Sequence, residues 1–363
     1  MSIFSRKHLM MSTVAVMAIA AMGVTVPTGD AAAKTYKLRF TDHNPGRGSR
    51  AEAQKWWASE IEKRTNGQVK VKFYWGQALV KAKEALKGIG SGLVDVGTIV
   101  GVYTPADLPF WNLANAPFGV RDAWVGMKTW QELHKTSPEL QAETKKKKVR
   151  ILVNFATGPT NLMSKTPIRS AADLKGLKVR ATGGWSKLLV GMGASTVRIG
   201  FGELYQALDK GTVDATQNYT YAARAFRHYE VAGHITEVEM GQVLGFGIGI
   251  NAKKFNSMPK DVQQVILDVS EETVDKFGKL LVDDIQDAKK AMIAGIDGRK
   301  VQFHTMDPAE RERWKAQSNF FTDDWLAKMK ENGIDGQPFI DRFNKTRAKY
   351  VKELAEKGYP WDR

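Results

Sequence analysis

Apolar and basic residues alternate through Tyr36-Lys37-Leu38-Arg39-Phe40, the period-two pattern of a strand with one buried face. The loop Thr41-Asp42-His43-Asn44-Pro45-Gly46 follows. Trp56, Trp57, Ile61 and nearby alanines then mark the apolar side of a helix, and Asn66-Gly67 supplies residues that tolerate the left-handed conformation that ends one. Alternation resumes in Val69-Lys70-Val71-Lys72-Phe73-Tyr74-Trp75. Strand, helix and strand in this order predict a βαβ unit and a parallel sheet.

A second pattern occurs twice. Glu84 is followed by Gly92 and Val94-Asp95, and Glu203 by Gly211 and Val213-Asp214, at identical spacing. Each reads as a helix, a glycine stop and a short buried strand. Two such joints can coincide by chance. Read as a repeat, they predict two similar α/β lobes that send their strands toward a shared cleft, because ligands in open α/β sheets sit beyond the carboxyl ends of the strands. Residues 98–103 and 216–221 are then pocket candidates. Between the two lies a strand-rich zone: Val149 to Phe155, a break at Gly158-Pro159 that suits a hinge, Leu177-Lys178-Val179-Arg180, and Ser195 to Ile199. Leu244 to Ile250 predicts a strand returning to the first lobe. From Pro259 to about Ala294, apolar residues recur at three- and four-residue steps. This predicts one helix of about 45–50 Å, long enough to brace both lobes, or two shorter helices broken at Gly278.

The first 33 residues change the compartment. Arg6-Lys7, an apolar run from Leu9 to Val26, the breaker Pro27-Thr28-Gly29 and the small residues Ala31-Ala32-Ala33 come in the order of a secretory signal. An uncleaved anchor is the alternative, because the run is long for a signal and borderline for a span. Cleavage after Ala33 would lower the formal net charge of +15 by only one. The basic residues are dispersed apart from Lys145-Lys146-Lys147-Lys148, which suits the C-terminal end of a solvated helix, and export argues against nucleic acid as a partner. The chain has no cysteine, which excludes disulfides, thiolate metal sites and cysteine nucleophiles. No phosphate-binding loop or nucleophile elbow is present, and Gly88-x-Gly90-x-Gly92 closes a helix where a dinucleotide loop would open one. No two of His43, His134, His228, His234 and His304 stand at zinc-helix spacing. No cofactor or metal is therefore expected.

At Asp173-Leu174-Lys175-Gly176-Leu177-Lys178-Val179-Arg180 the chain resembles the substrate-binding subunits of TRAP (tripartite ATP-independent periplasmic) transporters, of the dicarboxylate-receptor (DctP-type) family. Gly92-Leu93-Val94-Asp95, Lys165-Thr166-Pro167-Ile168, Gly211-Thr212-Val213-Asp214-Ala215 and the long late helix extend the resemblance over essentially all of the chain after residue 33. It implies a two-lobed periplasmic-binding-protein fold, α/β and class II-like, with hinge crossings. It implies a monomeric receptor, not an enzyme, that binds an organic acid in the periplasm and delivers it to a TRAP membrane permease. Residues 34–157 and about 244–285 would form the first lobe, 158–243 the second, and about 286–363 helices packed across both. Arg180 would clamp the ligand carboxylate, helped by Gln217 or Asn218. Thr160-Asn161-Leu162 stands where relatives often carry another arginine, and acidic residues that some relatives place after the first Val-Asp are absent. Dicarboxylates and sugar acids are thereby disfavoured. His43, Trp75, Tyr103, Asn161, Trp185 and Tyr219 complete the candidate site, with Tyr221 among its aromatics; these point to a monocarboxylate with an apolar or aromatic body. A periplasmic enzyme acting on an acidic metabolite, and a ligand sensor for a signalling receptor, are the rival functions.

Overall fold

The computed structural model describes residues 34–363; the segment expected to be a secretory signal lies outside the described residues. Eleven strands run β1 Tyr36–Thr41, β2 Val69–Tyr74, β3 Val96–Val100, β4 Val149–Phe155, β5 Asn161–Ser164, β6 Lys178–Arg180, β7 Ser195–Val197, β8 Ala215–Asn218, β9 His234–Glu237, β10 Phe246–Asn251 and β11 Gln302–Thr305. They form two sheets, ordered β2-β1-β3-β10-β4 and β11-β9-β5-β8-β6-β7. In the first, β1 is parallel to β2 and β3, while β10 is antiparallel to β3 and β4. The helix Ser49–Arg64 closes the predicted βαβ unit and ends through Asn66 and Gly67, both at positive φ. The fold is two-lobed α/β, one lobe per sheet.

The repeat read from sequence is structural. Gly92 and Gly211 both adopt positive φ after their helices. The Val94 amide donates to Gly88 and that of Val213 to Ala207, each at 3.2 Å. Asp95 and Asp214 each turn a carboxylate oxygen back to accept an amide of the neighbouring parallel strand, from Arg39 and Lys178 respectively, at 2.9 Å. The same local chemistry thus fixes β3 against β1 and β8 against β6. It also sets the ends of β1 and β6, where Asp42 and Arg180 stand.

Two crossings join the lobes, at residues 156–160 and 238–245. They pair with each other: Thr160 donates to Gly241 and Met240 to Thr160, each at 2.8 Å. The long helix is continuous over Lys260–Ala294. Gly278 does not break it; its missing side chain makes room for Trp361 and Trp124, whose atoms would lie 2.8 and 3.4 Å from an added Cβ. On the first lobe this helix accepts the Trp57 indole at Ser270 and the Trp124 indole at Asp275. On the second it pairs with Arg224 through Asp284 and with Glu237 through Lys289. Asp284 also accepts the Ser49 amide, so one carboxylate touches both lobes.

The expected boundary of the C-terminal region needs a correction. Residues 302–305 are not part of a helical layer; they add β11, parallel to β9, to the edge of the second sheet. Helix Pro308–Ala316 then caps that lobe, with Glu310 accepting the Ala171 amide. Helix Phe320–Glu331 reaches both lobes, through Trp325 to the Pro109 carbonyl and Asp324 to Lys187. Helix Gln337–Lys357 packs on Ala123–Thr136, where Tyr350 donates to Glu132. The lysine run sits at the end of helix Pro138–Lys146, as its charge suggests. No helix among the described residues is long and apolar enough to cross a membrane.

Candidate functional site

Both repeated strands deliver their following residues to one cavity between the lobes. The first lobe contributes His43, Asn44, Arg50, Val100, Val102, Tyr103 and Phe246; the second contributes Arg180, Thr182, Phe201, Tyr219, Tyr221 and Phe226; Thr157 and Val243 come from the hinge. The cavity is narrow, about 50 Å³. The lobes meet over it: the Phe201 amide donates to the Tyr103 hydroxyl across the cleft at 3.3 Å.

Two guanidinium groups face this space in different electrostatic situations. Arg50 lies in the first turn of helix Ser49–Arg64 and donates to Asp42 at 2.9 Å. Asp42 is fully enclosed and also accepts from Gln54, Thr98 and the Asn44 amide. Burial alone would raise the Asp42 carboxyl; Arg50, His43 and these donors outweigh it and hold it below the usual carboxylate range. Asn44, with its amide oriented to satisfy both of its ends, accepts from both terminal nitrogens of Arg50. The Arg50 charge is therefore neutralised inside the protein.

Arg180 differs. It is 2 % exposed, at the end of β6. Its Nε donates to the Ile199 carbonyl at 3.0 Å, and its guanidinium lies 5.3 Å from the Phe201 ring centre. No carboxylate among the described residues forms an ion pair with it. A buried cation without a counter-charge is costly, and its fork of donors has the geometry to accept an anion. The nearby imidazoles add no charge. Burial, reinforced by Arg50 and Arg180 against the pull of Asp42, pushes His43 down to about 4. Burial, with Arg180 and Arg47, pushes His228 down to about 3. Burial also raises the Tyr219 phenol and pushes Tyr221 up to about 12, so both stay protonated. At neutral pH the charged groups at the cavity are Arg50, Arg180 and Asp42, a balance of one positive charge.

Of the nine candidate residues, His43, Tyr103, Arg180 and Tyr219 line this cavity. The other five do not, and each has another task. Gln217 accepts from the amide and hydroxyl of Thr182, which does line it. Asn218 accepts the Tyr219 amide, so its NH₂ must face His228 Nδ1, 3.1 Å away, and it fixes that ring as an acceptor there. Trp185 is fully buried and donates to the hinge carbonyl of Met240. Asn161 accepts the Glu239 amide and faces a separate cavity beside Ile285 and Lys289. Trp75 stacks on Phe73 and covers Gly46. Sequence reading missed Arg50, Asp42, Phe201 and Phe226. For Arg50 a signal existed: it shares a helical stripe with Gln54, Trp57 and Ile61, all fully buried, and a charge on a buried stripe demands a partner.

Two α/β lobes joined by a paired hinge, closing over a buried unpaired guanidinium, define a solute-binding protein. The model of the bacterial extracellular solute-binding proteins, family 7, matches residues 43–329, and the chain belongs to that family. The C4-dicarboxylate-binding periplasmic protein DctP of Rhodobacter capsulatus is 28% identical over 263 residues, 70% of this chain and 75% of that protein. A TRAP periplasmic solute-binding protein from Desulfovibrio salexigens is 27% identical with a TM-score of 0.73, over 89% of this chain and 97% of the other. One from Rhodoferax ferrireducens, solved with copurified benzoate, is 20% identical with a TM-score of 0.80, over 88% and 100%.

Proposed function

We propose that the protein is the periplasmic receptor of a TRAP-type uptake system, exported through its first 33 residues, and that it closes on a monocarboxylate with an aromatic or apolar body for delivery to a membrane permease. The observation that carries the reading is the cavity's charge balance. Arg50 is matched by Asp42 and both histidines are neutral, so Arg180 has one negative charge to accept. A dicarboxylate would bring a second charge with no cation left for it. The walls agree, since Tyr103, Phe201, Tyr219, Phe226 and Phe246 offer ring faces and edges to an apolar body. One relative was crystallised with benzoate and another is a C4-dicarboxylate-binding protein; the charge balance favours an acid of the first kind.

A thermal-shift series decides between the classes. Aromatic monocarboxylates present at 100 times their dissociation constant should stabilise the protein by about 2.7 kcal/mol, and succinate and malate should not. Stabilisation by the dicarboxylates alone would sink the reading. Recovery of the acid chemically unchanged after incubation separates a receptor from a periplasmic enzyme.

Closure supplies a second test. A Cβ added to Gly202 would lie 3.0 Å from the His43 carbonyl oxygen on the opposite lobe. Gly202 has ordinary backbone geometry, so Gly202→Val should fold and resist closing. Overpacking costs about 1–3 kcal/mol, which corresponds to binding weaker by about five- to 150-fold. Scattering at saturation should show the wild type shrinking and the variant staying larger; equal profiles and equal affinities would refute the seam.

A further inference from the structure

We propose that His43 selects the body of the ligand by accepting a hydrogen bond from it, so that the receptor prefers a hydroxylated monocarboxylic acid over the same acid without the hydroxyl. The proposal rests on the monocarboxylate reading above and names the substrate class more closely.

His43 is 7 % exposed and lines the cavity, its ring edge-on to Tyr103 with centroids 6.0 Å apart. Its Nδ1 is fully enclosed and hydrogen-bonded to no atom of the described residues, but it lies 3.8 Å from Asp42 Oδ1. A neutral imidazole has one proton for two nitrogens. The negative carboxylate beside Nδ1 draws the proton to that side, and the positive field of Arg180 disfavours a proton facing the cavity. The remaining nitrogen, Nε2, then carries the lone pair, on a ring that lines the cavity.

Several of the other acceptors that line the cavity are already engaged within the protein. The Asn44 oxygen is taken by Arg50, and the Thr157 hydroxyl accepts the Val243 amide and donates to Gly158. The Tyr103 oxygen accepts the Phe201 amide. Tyrosine hydroxyls can turn to donate or accept, whereas the His43 nitrogen in this tautomer only accepts. A carboxylate has no proton to give it, and the carboxylate belongs to Arg180. The donor must come from elsewhere on the acid, and a hydroxyl group is the simplest that leaves the charge at one. An acid without one would close the lobes over an unpaired acceptor, the situation that makes buried polar groups discriminate strongly.

The test is calorimetric titration with two sets of probes: benzoate against its three monohydroxy isomers, and phenylacetate against mandelate. The best hydroxylated acid should bind wild type about three- to tenfold more tightly than its parent, the worth of one net neutral hydrogen bond. In His43→Phe, which keeps an aromatic ring against Tyr103, that ratio should fall to about one. In His43→Gln, whose side-chain carbonyl can accept, part of it should return. Circular dichroism confirms that each variant is folded. Equal or tighter binding of the parent acids by wild type, or a ratio that survives in His43→Phe, overturns the proposal while leaving the receptor reading intact. Failure of every acid in both sets to bind wild type overturns the monocarboxylate reading, and the role of His43 with it.

Discussion

Arg180→Ala should weaken binding of the cognate acid by about thirty-fold to several thousand-fold. Truncating one partner of a buried, hydrogen-bonded charge pair costs about 2–5 kcal/mol, and each 1.4 kcal/mol is about tenfold. The loss should fall on binding and spare folding. Among the described residues Arg180 has no ion-pair partner, and its one hydrogen bond goes to the Ile199 carbonyl. The ligand-free variant should therefore melt within a few degrees of wild type, or above it, because an unmatched buried charge has been removed. Arg180→Lys should fall between, since an ammonium retains the charge and loses the two-point fork. Calorimetry decides it: binding by Arg180→Ala within about threefold of wild type places the anchor elsewhere. A large fall in the melting temperature of the ligand-free variant would give Arg180 a structural role instead.

Asp42→Asn should have the opposite signature. It leaves Arg50 buried without its counter-charge, the kind of change that costs about 3–5 kcal/mol of stability. Denaturant unfolding should show the midpoint falling with an unchanged slope; an unaltered midpoint would mean that Arg50 finds another partner. The pH dependence follows from the direction of the Asp42 shift. Its carboxyl is held below its ordinary value in the folded state, so its contribution is fully present above the unfolded value of about 3.9. That contribution is lost as pH falls through the lower folded value. The asparagine variant should lack this acid-labile part. It should also shift ligand preference, because the cavity's balance rises from one positive charge to two. Succinate should gain on benzoate relative to wild type.

The contrast between these arginines shows what the sequence could and could not reveal. Arg180 was legible because it closes a strand two residues after a recognisable Leu-Lys, and strand ends in α/β lobes point at clefts. The paired Val-Asp strands were legible for a similar reason: their glycines, valines and aspartates satisfy local backbone groups at fixed spacing, and the hydrogen bonds of Asp95 and Asp214 match. Arg50 was harder, since a charge in the first turn of a helix usually faces water. Its burial depends on how the loop 42–46 folds back on that helix. Aromatic residues misled for the converse reason. A tryptophan that pins a hinge, like Trp185, and a ring that lines a cavity have the same composition and the same neighbours in sequence. Strand β11 was missed because Gln302-Phe303-His304-Thr305 is short and half-exposed, and its parallel partner β9 is remote in sequence.

The most direct measurement is a crystal structure of the protein with an aromatic monocarboxylate. The carboxylate should lie between the lobes, with both of its oxygens about 2.7–2.9 Å from Arg180 nitrogens and the body of the acid against Phe201 and Tyr219. A carboxylate bound to Arg50, or bound outside this cavity with Arg180 untouched, would contradict it.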